Sequence, residues 1–264
     1  MSDPVPGFTE RAVEADGFTI RVLEAGAGRP LVYFHGGGGL HVSPAHRLLA
    51  ERFRVSAFEL PGFGESPENT RTATLDELAA TMAAAVAAAG IDRYALYGTS
   101  FGAATALRLA VAFEERLESL VLESPAAFRD PAVNPSALTP DELRRALFVR
   151  PENGPPPQPL PVIQKQLALL NRLIGPAADP ELRERMRGLA VPTLVVVGRS
   201  DGLIPPALGR VYKELLVSCS LVYVYDAAHE VQFDRPEALA GLVGDFLDRQ
   251  EAFIVQNRSH VLVP

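Results

Sequence analysis

The chain has no tryptophan, a single cysteine, and aromatic residues at only 7% of its 264 positions. One cysteine excludes an internal disulfide. Cys219 sits in "LLVSCSLVYVY", where a loop enters a strand, and reads as an inert, half-buried thiol rather than a nucleophile. Also missing is any run of about eighteen apolar residues, the length a membrane-spanning helix needs. The opening "MSDPVPGFTE" lacks the basic-then-apolar layout of a signal peptide, so the expectation is a cytoplasmic protein without a membrane partner. No run rich in lysine and arginine occurs, and 25 basic residues against 32 acidic ones leave a net charge of −7. Such a surface repels a polyanion such as nucleic acid, and a small molecule is the expected partner.

What the chain does have is ordinary globular material, 47% hydrophobic and 22% charged residues, in a length that suits one α/β domain carrying an insertion. Two alternating segments in "GFTERAVEADGFTIRVLEAGAGRP" meet at Asp16-Gly17, a dipeptide that favours a two-residue hairpin turn. After Pro30 come short apolar runs, "LVYFHG", "FRVSAFEL", "RYALYG", "LESLVLES", "PTLVVVG" and "SLVYVYD". Most are separated by helical patterns such as Thr74 to Ala89 and Ala103 to Phe113, and "RPEALAGLVGDFLDRQ" supplies a last helix. That alternation predicts a mostly parallel sheet with helices on both faces, begun by an antiparallel hairpin.

The rhythm breaks between Pro125 and Met186, where proline-interrupted helical patterns replace strands. The expected organisation is a core formed by 1–124 and 187–264 with a helical insertion over 125–186. Within it, "PENGPPPQPLP" lacks the amide donors a helix or central strand needs, and reads as a stiff extended spacer rather than a proline-recognition ligand. The tail "FIVQNRSHVLVP" is apolar at both ends and is expected either to pack on the body or to bridge a homodimer.

Chemistry enters at "LYGTSFGAATAL", where an apolar strand pattern turns into an alanine-rich helical one. Gly98 and Gly102 remove the Cβ atoms that would block a sharp strand-to-helix turn, which leaves Ser100 strained and exposed at the apex. A serine hydroxyl is a weak nucleophile and needs a base, with a third group to orient that base. Of five histidines, His229 lies in "AAHEVQFDRPEAL" between the last strand and the last helix. His35 opens a glycine run, while His41, His46 and His260 sit in polar or helical surroundings. Two acids end strands and so could face the same sheet edge: Asp201 in "VPTLVVVGRSDGLIPP" and Glu123 in "LVLESP". Asp201 is favoured because its loop has room, whereas Pro125 restrains the chain after Glu123. In "YFHGGGGL", Gly36 to Gly39 offer unhindered backbone amides that can stabilise a developing oxyanion together with the amide of Phe101. A phosphate loop is excluded, since no Lys-Ser/Thr follows and the spacing is not GxGxxG.

Taken together and in order, "HGGGG", "ELPGFGES", "GTSFG", "GRSDGLIPP" and "AAHEVQFDRPEAL" resemble the α/β-hydrolase fold superfamily over nearly the whole chain. The resemblance implies Ser100 as nucleophile, Asp201 as acid, His229 as base, a Gly36 or Gly37 amide paired with that of Phe101, and a helical cap formed by the insertion. Glu59 departs from the aspartate common at its position, in a segment that is structural in the family. A serine at the elbow is unlike the epoxide hydrolases and haloalkane dehalogenases, whose nucleophile is a carboxylate. The expected activity is hydrolysis of a carboxylic ester of a small or medium, largely apolar substrate, without cofactor or metal. Two alternatives are a carbon–carbon bond hydrolase of ring-cleavage products and a non-catalytic small-molecule receptor. Against the former, such enzymes usually carry a tryptophan just after the histidine, and this chain has none.

Overall fold

A computed structural model describes residues 5–249 and the backbone of 261–262. Strands β1 (Thr9–Ala15) and β2 (Phe18–Ala25) form the antiparallel hairpin. Its turn residues, Asp16 at φ 48° and Gly17 at φ 74°, both take the positive φ that a tight two-residue hairpin demands. The remaining strands are β3 (Pro30–Phe34), β4 (Arg54–Phe58), β5 (Tyr94–Thr99), β6 (Leu117–Glu123), β7 (Thr193–Gly198), β8 (Cys219–Val224) and β9 (Val261–Leu262). They join one sheet in the order β1-β2-β4-β3-β5-β6-β7-β8-β9. Pairing from β4 to β8 is parallel, while β2 meets β4 and β9 meets β8 antiparallel. Every residue of β5 and β7 is buried, because helices cover both faces and no side of a central strand meets water.

The chain winds both ways around this sheet. Helices α1 (Pro44–Ala50), α8 (Val231–Asp234) and α9 (Pro236–Arg249) close one face, with Leu49, Val231, Leu239, Val243 and Phe246 packed on Tyr33, Tyr97 and Val196. Helices α2 (Leu75–Ala88), α3 (Phe101–Ala112) and α7 (Gly209–Leu215) close the other, with Leu78, Met82, Leu107 and Tyr212 packed on Val32, Leu96 and Val195. Thr74 caps α2 by accepting from the Glu77 amide at 3.1 Å, which satisfies one of the donors a helix start leaves open. Cys219, where β8 begins, is buried, and burial pushes its thiol up to about 12, consistent with an inert role.

Between β6 and β7 the described residues form helices α4 (Pro140–Leu147), α5 (Leu160–Leu173) and α6 (Pro180–Met186), and no strand. Thr139 and Glu142 form a reciprocal capping box on α4. The proline tract is less uniform than a simple spacer. Pro151–Asn153 makes a 3₁₀ turn, and Leu160-Pro161 opens α5, since proline in a helix's first turn costs no hydrogen bond. The Arg144 guanidinium holds the tract by donating to the carbonyls of Pro151 (2.5 Å) and Pro155 (3.2 Å).

This segment reaches the loops at the carboxyl ends of the strands. Lys165 Nζ donates to Gly64 O at 2.9 Å, and Gly64 N donates to Gln166 Oε1 at 3.0 Å. The amides of Gly202 and Glu230 donate to the carbonyls of Ala146 and Leu147, at 3.2 and 3.0 Å. At its far end Asp179 pairs with buried Arg108 of α3, and both Arg108 and Arg185 pair with Asp76 of α2 at 2.7 and 2.8 Å. The tail falls outside the described residues except for the β9 backbone, which pairs with β8.

Candidate active site

Ser100 sits between β5 and α3 at φ 53°, ψ −113°, a backbone conformation that costs a non-glycine residue on the order of 1–3 kcal/mol. The surroundings hold it there. Its amide donates to Glu123 O at 2.9 Å, and its carbonyl accepts from Ala104 N (3.0 Å) and Ala126 N (3.2 Å). Both flanking glycines are sterically required. A Cβ on Gly98 would lie 2.5 Å from Gly102 O, and one on Gly102 would lie 2.2 Å from Phe34 O. Phe101 is the first residue of α3, so its amide belongs to the helix-start donors that find no intrahelical acceptor.

Asp201 lies just past β7. Its Oδ1 accepts from the amides of Leu203 and Ile204, each at 2.9 Å, which fixes the carboxylate. Oδ2 then stands 2.9 Å from His229 Nδ1, with both side chains almost wholly out of water. Burial alone would raise the Asp201 carboxyl, but the His229 charge, its hydrogen bond and the two amides outweigh burial and hold it below its usual value. Burial pulls His229 down, and the charge and hydrogen bond of Asp201, with smaller contributions from Glu230 and Glu123, lift it above its usual value. With Nδ1 committed to Asp201, Nε2 is the ring nitrogen left for chemistry.

The competing acid has a different task. Glu123 is fully buried at the end of β6 and does not bond His229. Its Oε2 accepts from Tyr97 OH and from Thr99 Oγ1 (2.9 Å), and its Oε1 accepts from the Gln232 amide at 2.9 Å. Burial, with the nearby Glu230, lifts its carboxyl to about 7. Gln232 extends the network, with Nε2 donating to Glu230 Oε2 at 2.8 Å and its amide group facing Tyr33 OH at 3.3 Å. Neither Glu230 nor Gln232 carries a recognisable motif. The only sequence signal for Glu230 is a carboxyl directly after the candidate base.

The glycine run after β3 is brought to Ser100. A Cβ on Gly36 would lie 3.4 Å from Ser100 Cβ, and one on Gly37 would lie 3.0 Å from Leu170 Cδ1 of α5, so the loop runs between the nucleophile and the inserted helices. Gly39 N donates back to Gly36 O at 3.2 Å. His35 buttresses this loop. Its Nε2 accepts from Leu60 N at 2.9 Å, which leaves Nδ1 to donate to Gly36 O at 2.7 Å, and burial lowers its pKa to about 3, so the ring is neutral. His46 lies in helix α1 and is buried, with its ring 4.0 Å from that of Tyr33 and its Nδ1 3.0 Å from Ser43 Oγ. His41 is half-buried, and His260 lies outside the described residues. Glu59 is buried 3.7 Å from Arg21, with Gly64 folded against it at φ 52°, a structural placement.

This arrangement places Ser100, the Asp201–His229 pair and the glycine loop at one edge of a doubly wound sheet. Residues 29–155 match the family model described as the alpha/beta hydrolase fold. The chain is 30% identical over 273 residues to a dihydrolipoyllysine-residue acetyltransferase component of an acetoin cleaving system from Pseudomonas putida, spanning 89% of this chain and 68% of that protein. It is 28% identical to a pimeloyl-[acyl-carrier protein] methyl ester esterase from Aeromonas hydrophila subsp. hydrophila, covering 87% and 99% of the two chains. It is 26% identical to a 2-hydroxy-6-oxo-6-(2'-aminophenyl)hexa-2,4-dienoic acid hydrolase from Metapseudomonas resinovorans, covering 92% of each. The chain belongs to the alpha/beta hydrolase fold family. With esterases and carbon–carbon hydrolases among its relatives, it is a hydrolase. No helix among the described residues is long and apolar enough to cross a membrane.

Proposed function

We propose that the protein is a serine hydrolase that cleaves a carboxylic ester of a small or medium, largely apolar substrate through an acyl-enzyme. The observation that carries this reading is the 2.9 Å bond between Asp201 Oδ2 and His229 Nδ1, set at the same sheet edge as a serine held at positive φ. Ser100 Oγ attacks the ester carbonyl as His229 Nε2 takes its proton. Asp201 fixes the ring's orientation and stabilises the imidazolium that forms. The carbonyl oxygen, now negative, is met by the amides of Phe101 and of Gly36 or Gly37. His229 then protonates the departing alcohol, and a water activated by the same imidazole releases the acid and frees Ser100. The helices between β6 and β7 cover the site, with Leu170 resting over Gly37. The esterase among the relatives supports this class of reaction.

Carbon–carbon cleavage is the second reading, favoured by the likeness to the dienoic acid hydrolase. Glu230 stands where the enzymes of that class usually carry a tryptophan, and a carboxyl there repels a carboxylate substrate. The deciding experiment compares kcat/KM for a panel of p-nitrophenyl esters with that for a vinylogous 1,5-diketone. Turnover of the diketone well above that of every ester would overturn the ester reading in favour of the second. Tight binding of a ligand without turnover of any compound would make the protein a receptor.

A further inference from the structure

One carboxyl in the site takes no part in the proposed reaction. Glu230 follows His229 directly, and its backbone is pinned from two sides: its amide donates to Leu147 O at 3.0 Å, and its carbonyl accepts from Phe233 and Asp234 as α8 begins, at 3.0 and 3.1 Å. Its Oε2 accepts from Gln232 Nε2, and Gln232 is itself anchored through its amide to Glu123. The carboxyl is therefore aimed. Oε1 lies 3.7 Å from the point a Gly36 Cβ would occupy, the same point that lies 3.4 Å from Ser100 Cβ, so Glu230 and the candidate nucleophile border one glycine.

The neighbouring acids are already engaged. Asp201 is taken by His229 and two amides, Glu123 by Tyr97, Thr99 and Gln232, and Asp234 by the amides of Val149, Arg150 and Ala228. Among the described residues, Glu230 Oε1 accepts no protein hydrogen bond, and the charged groups acting on this carboxyl are the cation His229 and the acids Asp201, Asp234 and Glu123. A half-buried carboxyl, with an oxygen turned toward the reacting centre and its nearest cation already paired, favours a ligand that brings positive charge of its own.

We infer that Glu230 is a specificity-determining residue that receives a cationic group, a substituted ammonium, carried by the substrate a few bonds from the carbonyl that Ser100 attacks. The inference rests on the ester-cleaving reading and narrows its substrate class to a largely apolar ester bearing one positive charge. An incoming cation offsets the cost of ionising Glu230 in its half-buried setting, whereas a neutral isostere leaves that cost standing and an anion adds to it.

The test uses two isosteric pairs of esters. On the acyl side, p-nitrophenyl 4-(trimethylammonio)butyrate is set against p-nitrophenyl 5,5-dimethylhexanoate. On the alcohol side, acetylcholine is set against 3,3-dimethylbutyl acetate. In at least one pair the wild-type protein should prefer the cation by about tenfold in kcat/KM, and Glu230→Gln should reduce that ratio by about tenfold, mainly through KM. Glu230→Asp, which keeps the charge, should retain part of the preference and serves also if the glutamine variant fails to fold. Ratios that are the same in wild type and both variants for both pairs would overturn the inference. If none of the four esters is cleaved, the ester reading fails by itself. Calorimetric titration of Ser100→Ala with acetylcholine then decides the inference: binding weakened about tenfold by adding Glu230→Gln supports it, and absent or unchanged binding overturns it.

Discussion

The Gln232 amide donates to Glu123 Oε1 at 2.9 Å, joining the residue three places after His229 to the end of β6, while Asp201 beyond β7 holds the imidazole itself. The two strand-end acids thus have separate work: one fixes the ring and the other fixes the backbone that follows it. Each can be removed without removing the other.

Asp201→Asn should lower kcat by about 10²- to 10⁴-fold, because an amide favours the wrong imidazole tautomer without disturbing packing. Glu123→Gln should cost about tenfold or less. With its oxygen kept toward the Gln232 amide, its NH₂ can donate to Tyr97 OH and Thr99 Oγ1, since hydroxyls both donate and accept. Assays of both folded variants on one ester check this, and the reverse ranking would move the acid role to Glu123.

Glu123→Gln should also change how stability depends on pH. Burial raises this carboxyl from 4.5 to about 7, so the folded state holds a proton that the unfolded chain releases. The contribution is fully present below pH 4.5 and is lost as pH rises to about 7. The melting temperature of the variant relative to wild type should therefore climb across that window. A difference that stays flat from pH 4.5 to 7.5 contradicts the raised value.

Ser100→Ala should abolish ester cleavage by on the order of 10⁴ or more while circular dichroism and melting stay near wild type, since Gly98 and Gly102 make the turn possible. A fluorophosphonate should label the wild type and not the variant. Turnover that survives the substitution would show that another group is the nucleophile.

The pH–rate profile should rise with pH through an acidic limb that lies above the ordinary histidine value of about 6.5, because a protonated His229 cannot accept the Ser100 proton and Asp201, Glu230 and Glu123 favour that protonated form. Asp201→Asn should move the limb to lower pH as well as lowering the plateau. A limb unchanged by the substitution would mean that another group titrates in that range.

Two apolar residues of the segment between β6 and β7 should behave differently. Leu170 lies over Gly37, and Leu170→Ala opens room there and should shift acyl preference toward larger groups. Phe148 is buried, 5.9 Å from the Phe233 ring and against Gly154, so Phe148→Ala should cost about 3–5 kcal/mol with little change in preference. Equal specificity profiles for wild type and Leu170→Ala, from esters of graded acyl length, would make α5 scaffold alone.

The parts of this site that were legible in the sequence have local causes. Gly98 and Gly102 announce the elbow because a Cβ at either place meets backbone, and the Asp16-Gly17 turn is visible because both residues take positive φ. Asp201 and His229 could be placed because each follows a strongly apolar strand. The network of Glu123, Tyr97, Thr99, Tyr33, Gln232 and Glu230 was not legible, since it is assembled from four elements and depends on register: the Thr99–Glu123 pairing brings two of its members side by side. That His46 is buried was not legible, because a helix of seven residues gives too little periodicity to show which side faces the core. The proline tract misled at its ends, where a helix start accepts the same residue that a helix interior rejects.

The order in which these groups follow one another also fixes when the protein can first react. Ser100 is synthesised well before Asp201, and His229 comes last, just ahead of α9. At a translation rate of about 5–20 residues per second, on the order of ten seconds separates serine from histidine. Through that interval the ribosome carries a strand and helix able to form the elbow but not His229, the proposed base. On the proposed mechanism, a nascent chain built in this order lacks its base until the segment after β8 has been made.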